Sequence, residues 1–348
     1  MSFVLGRNTG PEDGPVGPLG TYRALDGSSG APIYVDLDRP HSVMIVGKRG
    51  YGKSYTLGVM AESLSKPTSI APVIIDPMGV FTTLAGGDDS ADIDAKVIDE
   101  PEIVASSLEP RSWCELLDLS PESAAGALVW QAATHTDSLS EMHEHIDAAD
   151  APQVDKRSAD NHLQLAEMWS VFSPDGLDAA DLCGPEITVI DISGLDDAPM
   201  NAIVRGVAET LYQSRVTESV DRLPWLLIDE AHTFFQGIAA PALETILTRG
   251  RAPGVSLVLA TQRPSAVPDV GISQSDLLIS HRLTSHADLE ALQKAQPTYM
   301  NSSLTERMPT EPGEAMVVDD STETVHAVQI RERKTLHGGS SPRASNRE

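Results

Sequence analysis

The chain has 348 residues, 41% of them hydrophobic, which suits one large domain or two ordinary ones with a sizeable core. No apolar run approaches the roughly 18–20 residues of a membrane span, which argues against an integral membrane protein. Acids outnumber bases by 51 to 25 for a net charge of −26, so nucleic acid is not the first partner the composition suggests.

Residues 1–31 are rich in Gly and Pro, begin MSFVLGRNTGPEDG and show no basic flank before an apolar stretch. They predict an extended or loop-like segment without a secretory leader. Ile33 to Leu37 alternates apolar and polar residues and predicts a strand. Val43 to Val46 is a short apolar run ending in a glycine loop. Ser54 to Leu64 reads as a helix with Leu57, Met60 and Leu64 on one face. Val73 to Asp76 predicts a second buried strand. Acidic loops and helical stretches, Ser123 to Ala133 and His162 to Phe172 among them, fill residues 84–186. Ile187 to Asp191 returns to strand character. Met200, Ile203, Val204, Val207, Ala208 and Leu211 then mark the clearest amphipathic helix. Trp225 to Asp229, Ser256 to Ala260 and Leu277 to Ser280 predict strands. Ala240 to Leu247 and His286 to Ala295 predict helices.

Short apolar strands alternating with helices indicate a parallel α/β sheet covered on both faces. The expected organisation is an N-terminal Gly/Pro-rich segment over 1–40 and an α/β domain over 41–330. An acidic, partly helical insertion spans about 84–186, and a basic Ser/Gly-rich tail spans 331–348.

The charge is uneven. Residues 81–200 hold 26 acids and four bases. The last 18 residues hold five bases and two acids, either a solvated tail or a contact for an anionic partner. Only seven of the bases are lysine, and Asp exceeds Glu, a balance that suits a surface kept hydrated in a salt-filled, halophilic cytoplasm. Cys114 and Cys183 form no CxxC or zinc pattern and read as small buried hydrophobes in a reducing, cytoplasmic setting.

Gly47-Lys48-Arg49-Gly50-Tyr51-Gly52-Lys53-Ser54, followed by Tyr55, fits G-x-x-x-x-G-K-[ST] between a strand and a helix. Glycines let backbone N–H groups wrap a phosphate, and the helix N-terminus adds positive dipole. Lys53 would reach the β- and γ-phosphates of ATP, and Ser54 would ligate Mg²⁺. The strand Leu226-Leu227-Ile228 ends in Asp229-Glu230, two carboxylates at the sheet edge where α/β folds bind ligands. Asp229 would join the Mg²⁺ shell, and Glu230 would act as general base for the attacking water. No guanine-reading NKxD motif is present, which favours ATP. Gln262, after strand SLVLA, is placed to sense the γ-phosphate. Arg249 and Arg251 are either a surface pair or arginine fingers donated to a neighbouring subunit. Asp76 and Asp191 each end a strand and either line the ligand edge or cap the next turn. His143-Glu144-His145 sits at i, i+2 spacing, off a common helix face, so no metal is expected there.

These motifs resemble the HerA/FtsK superfamily of P-loop ATPases, in particular HerA-like ATP-binding proteins. The carrying segments are 41–62, 72–81, 186–195, 226–235, 249–292 with its ATQRPS and HRLT, and 328–339. The resemblance implies a RecA-like sheet and a ring hexamer with ATP between subunits. It also implies a motor that translocates on or unwinds double-stranded DNA, with a nuclease as a possible partner. It carries ATPase roles onto Lys53, Ser54, Asp229, Glu230 and Gln262, and favours Arg251 over Arg249 as the finger. An alternative is an ATPase that switches or scaffolds a partner protein without moving DNA. HerA helicases carry an N-terminal β-barrel, but only 46 residues precede Gly47, so that barrel is expected to be truncated or absent. Arg49 and Tyr51 also depart from the helicases' loop. The acidic 81–200 segment is expected on an outer rim, away from a DNA channel.

Overall fold

Apolar residues run without interruption along the central strands, as in sheets covered on both faces. Successive side chains point to opposite faces, so each strand feeds two cores. Val43 and Ile45 join one core while Met44 and Val46 join the other. The same split recurs at Trp225 and Leu227 against Leu226 and Ile228. The computed structural model describes residues 3–24, 28–86, 93–294 and 308–339.

Among these residues the strands are β1 (Phe3–Leu5), β2 (Val16–Arg23), β3 (Ser29–Asp36), β4 (Ser42–Val46), β5 (Ile70–Asp76), β6 (Ala95–Ile98), β7 (Ile187–Asp191), β8 (Leu223–Ile228), β9 (Ser256–Thr261), β10 (Leu277–Ser280), β11 (Glu314–Asp319) and β12 (Thr324–Ile330). The helices are α1 (Lys53–Leu64), α2 (Pro110–Leu116), α3 (Ala124–His135), α4 (Leu139–Ala148), α5 (Gln153–Met168), α6 (Ala179–Leu182), α7 (Asp197–Val216), α8 (Ala240–Arg249), α9 (Asp269–Ser273) and α10 (His286–Lys294).

All twelve strands form one sheet in the order β1-β3-β2-β12-β11-β10-β4-β9-β8-β5-β7-β6. From β10 to β6 every neighbouring pair is parallel. The C-terminal ends of β4, β5, β8 and β9 therefore share one edge, with the phosphate loop following β4. Helix α1 buries Leu57, Met60 and Leu64 against one face. Helices α7 and α8 bury Ile203, Val207, Leu211, Leu243 and Ile246 against the other. The arrangement is mostly parallel, as the apolar strand pattern predicts, and RecA-like, as the resemblance implies.

Ile33 to Leu37 falls on β3 as expected, but the described residues of 3–31 depart from their loop-like reading. They supply β1, β2 and the start of β3, which extend the sheet through antiparallel pairing of β2 with β12. Gly and Pro mask this strand pattern, because β2 reads VGPLGTYR and lacks clean alternation. The basic tail departs as well. Its described part, 331–339, lies against α1, with Arg331 and Arg333 both ion-paired to Glu62. Residues 340–348 lie outside the described residues. Within the expected insertion, α2 to α5 pack on one another and onto the core of α7 through Trp113, Leu128, Met142 and Leu163. Helix α5 begins nine residues before the predicted His162, at Gln153 behind Pro152. Cys114 and Cys183 are both buried and unpaired.

Candidate active site

The loop between β4 and α1 curls into left-handed backbone at Gly50 (φ 81°) and Gly52 (φ 111°), which glycine adopts without steric cost. This turn points the first N–H groups of α1 at a pocket of about 530 Å³ lined by Arg49, Lys53, Ser54, Tyr55, Asp229 and Glu230. Lys48 fixes the loop, its N–H donating to the Arg282 carbonyl at 2.8 Å. Lys53 is buried and donates to the Lys48 carbonyl at 3.4 Å. Burial pulls its ammonium below the ordinary lysine value, against the opposing pull of Glu230 and Asp229.

Strand β8 delivers the two carboxylates. The Ser54 hydroxyl donates to Asp229 Oδ2 at 2.7 Å, joining α1 to β8. Asp229 is 1% exposed, and burial pushes its carboxyl upward while the Ser54 bond pulls it down. Glu230 sits in left-handed backbone (φ 45°, ψ 39°), a strained conformation for glutamate that clusters at functional sites. Its Oε2 is buried and lacks a hydrogen bond. Burial raises the Glu230 carboxyl, against Lys53, Arg49, Arg263 and the Gln262 amide, which lower it. A half-buried carboxylate with a raised pKa and one oxygen that accepts no hydrogen bond, facing a pocket, has the properties of a general base.

The structure thus brings Arg49, Gly50, Gly52, Lys53, Ser54, Tyr55, Asp229, Glu230 and Gln262 to one edge. Tyr51 sits outside the pocket lining, with the Lys48 ammonium 4.4 Å from its ring centroid. Arg249 and Arg251 stand apart. Arg249 ends α8 and Arg251 follows it ahead of β9, at the opposite edge of the sheet, where Arg251 pairs with Asp276. Within one chain neither meets Lys53 or Glu230. Asp76 caps its own loop, accepting the N–H groups of Met78, Val80 and Phe81. Asp191 likewise accepts the Ser193 N–H at 3.0 Å. His143 bonds Asp160, and His145 stacks on His135.

Sequence reasoning assigned no role to His281. It is fully buried after β10, and its Nε2 lies 2.9 Å from Thr56 Oγ1. Its Nδ1 lies 2.7 Å from the Glu314 carbonyl. A carbonyl only accepts, so Nδ1 carries the proton and Nε2 accepts from the Thr56 hydroxyl. Burial pulls the ring down to about 4, so it is neutral at pH 7. A Cβ on Gly47 would come within 2.6 Å of His281 Cβ, so His281 backs the phosphate loop directly. Arg263 and His232 were missed too; both flank Glu230, His232 Nδ1 lying 3.4 Å from Glu230 Oε2. Neither spacing nor charge pattern singles them out.

The family model described as "Helicase HerA, central domain" matches residues 19–210, more than half of the chain. The chain belongs to this family. It carries the HerA-type central domain, with its phosphate loop at Gly47–Ser54. The DNA double-strand break repair helicase HerA of Pyrococcus furiosus is 22% identical over an alignment of 359 positions, covering 83% of this chain. This HerA-family chain spans 65% of that protein's length. VirB4 of Thermoanaerobacter pseudethanolicus superimposes with a TM-score of 0.66 at 18% identity, covering 94% of this chain and 98% of VirB4. The plasmid coupling protein TrwB, solved with ADP and Mg²⁺, gives a TM-score of 0.61 at 15% identity, covering 95% and 98%. At such identities the shared property is the fold. Among the described residues, no helix is long and apolar enough to cross a membrane.

Proposed function

We propose that this HerA-family chain is a cytoplasmic, ATP- and Mg²⁺-dependent motor, a homohexameric ring that moves on double-stranded DNA. The observation that carries the hydrolytic part is the Ser54–Asp229 bond with Glu230 Oε2, which accepts no hydrogen bond, beside it under the phosphate loop. DNA as the track is supported by the name of the Pyrococcus furiosus relative, a DNA repair helicase.

In this reading the backbone N–H groups of 50–54 cradle the phosphates, and Lys53 contacts the β- and γ-phosphates. Ser54 Oγ and Asp229 Oδ2 are two hard oxygens, and Asp229 is a buried carboxylate whose charge favours a cation, so the pair suits Mg²⁺. Bound Mg²⁺ supplies charge neutralisation at the β- and γ-phosphates. Glu230 accepts a proton from the attacking water at its free Oε2. Gln262, against Glu230, reports the γ-phosphate to β9. Arg251, with Arg249 second, acts on the ATP of a neighbouring subunit, because the opposite edge of the sheet reaches a nucleotide only across a subunit boundary. The ATPase core takes in 41–330, with β1 to β3 extending its sheet and 331–339 reaching its pocket, and the acidic insertion at about 84–186 lies on the outer rim of the ring.

The acidity of that insertion favours a second reading, an ATPase that switches a partner protein, a nuclease among the candidates, without translocating. Measuring ATP turnover in molar KCl with and without linear duplex DNA separates the two. Turnover that rises with duplex supports the motor. Turnover indifferent to duplex removes it and leaves the partner-switching ATPase.

A further inference from the structure

Beyond β12 the chain crosses the outer side of α1 as an extended strap, 331–339, which ends at the mouth of the ATP pocket. One buried carboxylate holds it. Glu62 Oε1 accepts the N–H groups of Lys334 and Thr335, each at 2.9 Å, and the Thr335 hydroxyl at 2.8 Å. Its Oε2 accepts from Arg331 at 2.6 Å. The Arg333 side chain, 1% exposed, lies over Gly58, where an added Cβ would come within 2.6 Å of the guanidinium carbon. The Arg333 N–H donates to the Tyr55 hydroxyl at 2.6 Å. The Thr83 hydroxyl donates to the Leu336 carbonyl at 2.8 Å, joining the strap to the loop after β5.

This anchoring delivers His337 and Gly339 to the pocket lining beside Met78 and Val80. The His337 ring stands edge-on to Tyr55, centroids 5.6 Å apart at 73°, and keeps an exposed surface. The phosphate end of the pocket is fixed by Lys53, Ser54 and Asp229. A nucleotide seated there must direct its nucleoside away from those groups, along the lining formed by Tyr55, Val80 and the strap.

We propose that strap 331–339 is the nucleoside-binding wall of the site, with His337 and Tyr55 contacting base and ribose. Glu62 is then a positioning residue that sets His337 through the strap. The proposal rests on the reading of the pocket as the ATP site. A strap that only seals α1 predicts no preference between a nucleotide and a bare polyphosphate, and that difference is measurable.

The test is calorimetric titration of the full chain with magnesium and either AMP-PNP or inorganic tripolyphosphate. His337→Ala is expected to weaken AMP-PNP about ten-fold, the scale of one lost ring contact, and to leave tripolyphosphate within about two-fold. Glu62→Gln is expected to show the same selectivity. Lys53→Ala is expected to weaken both probes. A His337→Ala chain that loses both probes equally, or neither, overturns the wall while leaving the site intact. Because His337 is exposed, that variant keeps the fold even where Glu62→Gln does not. A wild-type chain that binds neither probe overturns the site itself, and the wall with it.

Discussion

Ser54 and Asp229 lie 175 residues apart in the chain, yet the serine hydroxyl donates to the aspartate Oδ2 at 2.7 Å. The bond pins the start of α1 to the end of β8 and sets two hard oxygens side by side. Asp229→Asn keeps the shape and removes the charge. Magnesium-supported binding of AMP-PNP is then expected to fall at least about ten-fold, since even outer partners of metal ligands matter on that scale. Binding measured in EDTA is expected to change little. Equal losses with and without magnesium would assign Asp229 a structural role instead.

The pH dependence of turnover follows from Glu230. Burial raises its carboxyl above the ordinary glutamate value, with Lys53, Arg49 and Arg263 opposing. A general base acts only when ionised, so kcat falls as pH drops through that raised value. Arg263→Ala removes one opposing cation and is expected to move the acid limb of the pH–kcat profile to higher pH. A limb at the ordinary glutamate range, unmoved in Arg263→Ala, would show that another group controls it.

His281 makes the opposite kind of prediction, about stability. Its folded value is about 4 against 6.5 for a free imidazole, so the unfolded chain binds the extra proton first. The contribution is fully present above pH 6.5 and is lost as pH falls toward about 4. It amounts to about 3 kcal/mol over that window. Urea unfolding across it is expected to show a steeper decline for the wild type than for His281→Gln. Parallel declines would mean that the ring is not held neutral.

The N-terminal strands are integral to the sheet, and Gly20 tests this. A Cβ at Gly20 would sit 2.0 Å from the Gln329 carbonyl of β12, where backbone cannot yield cheaply. Gly20→Ala is expected to destabilise the fold by about 1–3 kcal/mol, the range for forcing extra atoms into a packed site. Thermal unfolding reads it. An unchanged Tm would mean that β2 does not pair with β12 as described.

The parallel half of the fold was legible because buried strands such as WLLID and SLVLA carry continuous apolar runs. The phosphate loop and the Asp229-Glu230 pair were legible because their chemistry demands adjacent residues in fixed order. Strands β1, β2, β6, β11 and β12 were not read. The first two carry Gly and Pro within or beside them and β6 is only four residues among acidic loops, while β11, although buried throughout, and β12 are bounded by acidic and polar residues that shorten their apolar runs. His281, Arg263 and the strap escaped for a different reason. Each acts through a long-range contact, His281 with Thr56 and Arg333 with Tyr55, that no local spacing encodes. The arginines at 249 and 251 were read as a surface pair or as fingers for a neighbouring subunit, and the fold sets them at the far edge of the sheet.

The most direct test of hydrolysis at this edge is a paired measurement on Glu230→Gln. AMP-PNP affinity and steady-state ATP turnover are measured in molar KCl on the same preparation. Removing a general base is expected to cut turnover by about 10²–10⁴-fold while affinity stays within a few-fold of wild type. Turnover that survives in Glu230→Gln would contradict the assignment of the β8 carboxylate as the base.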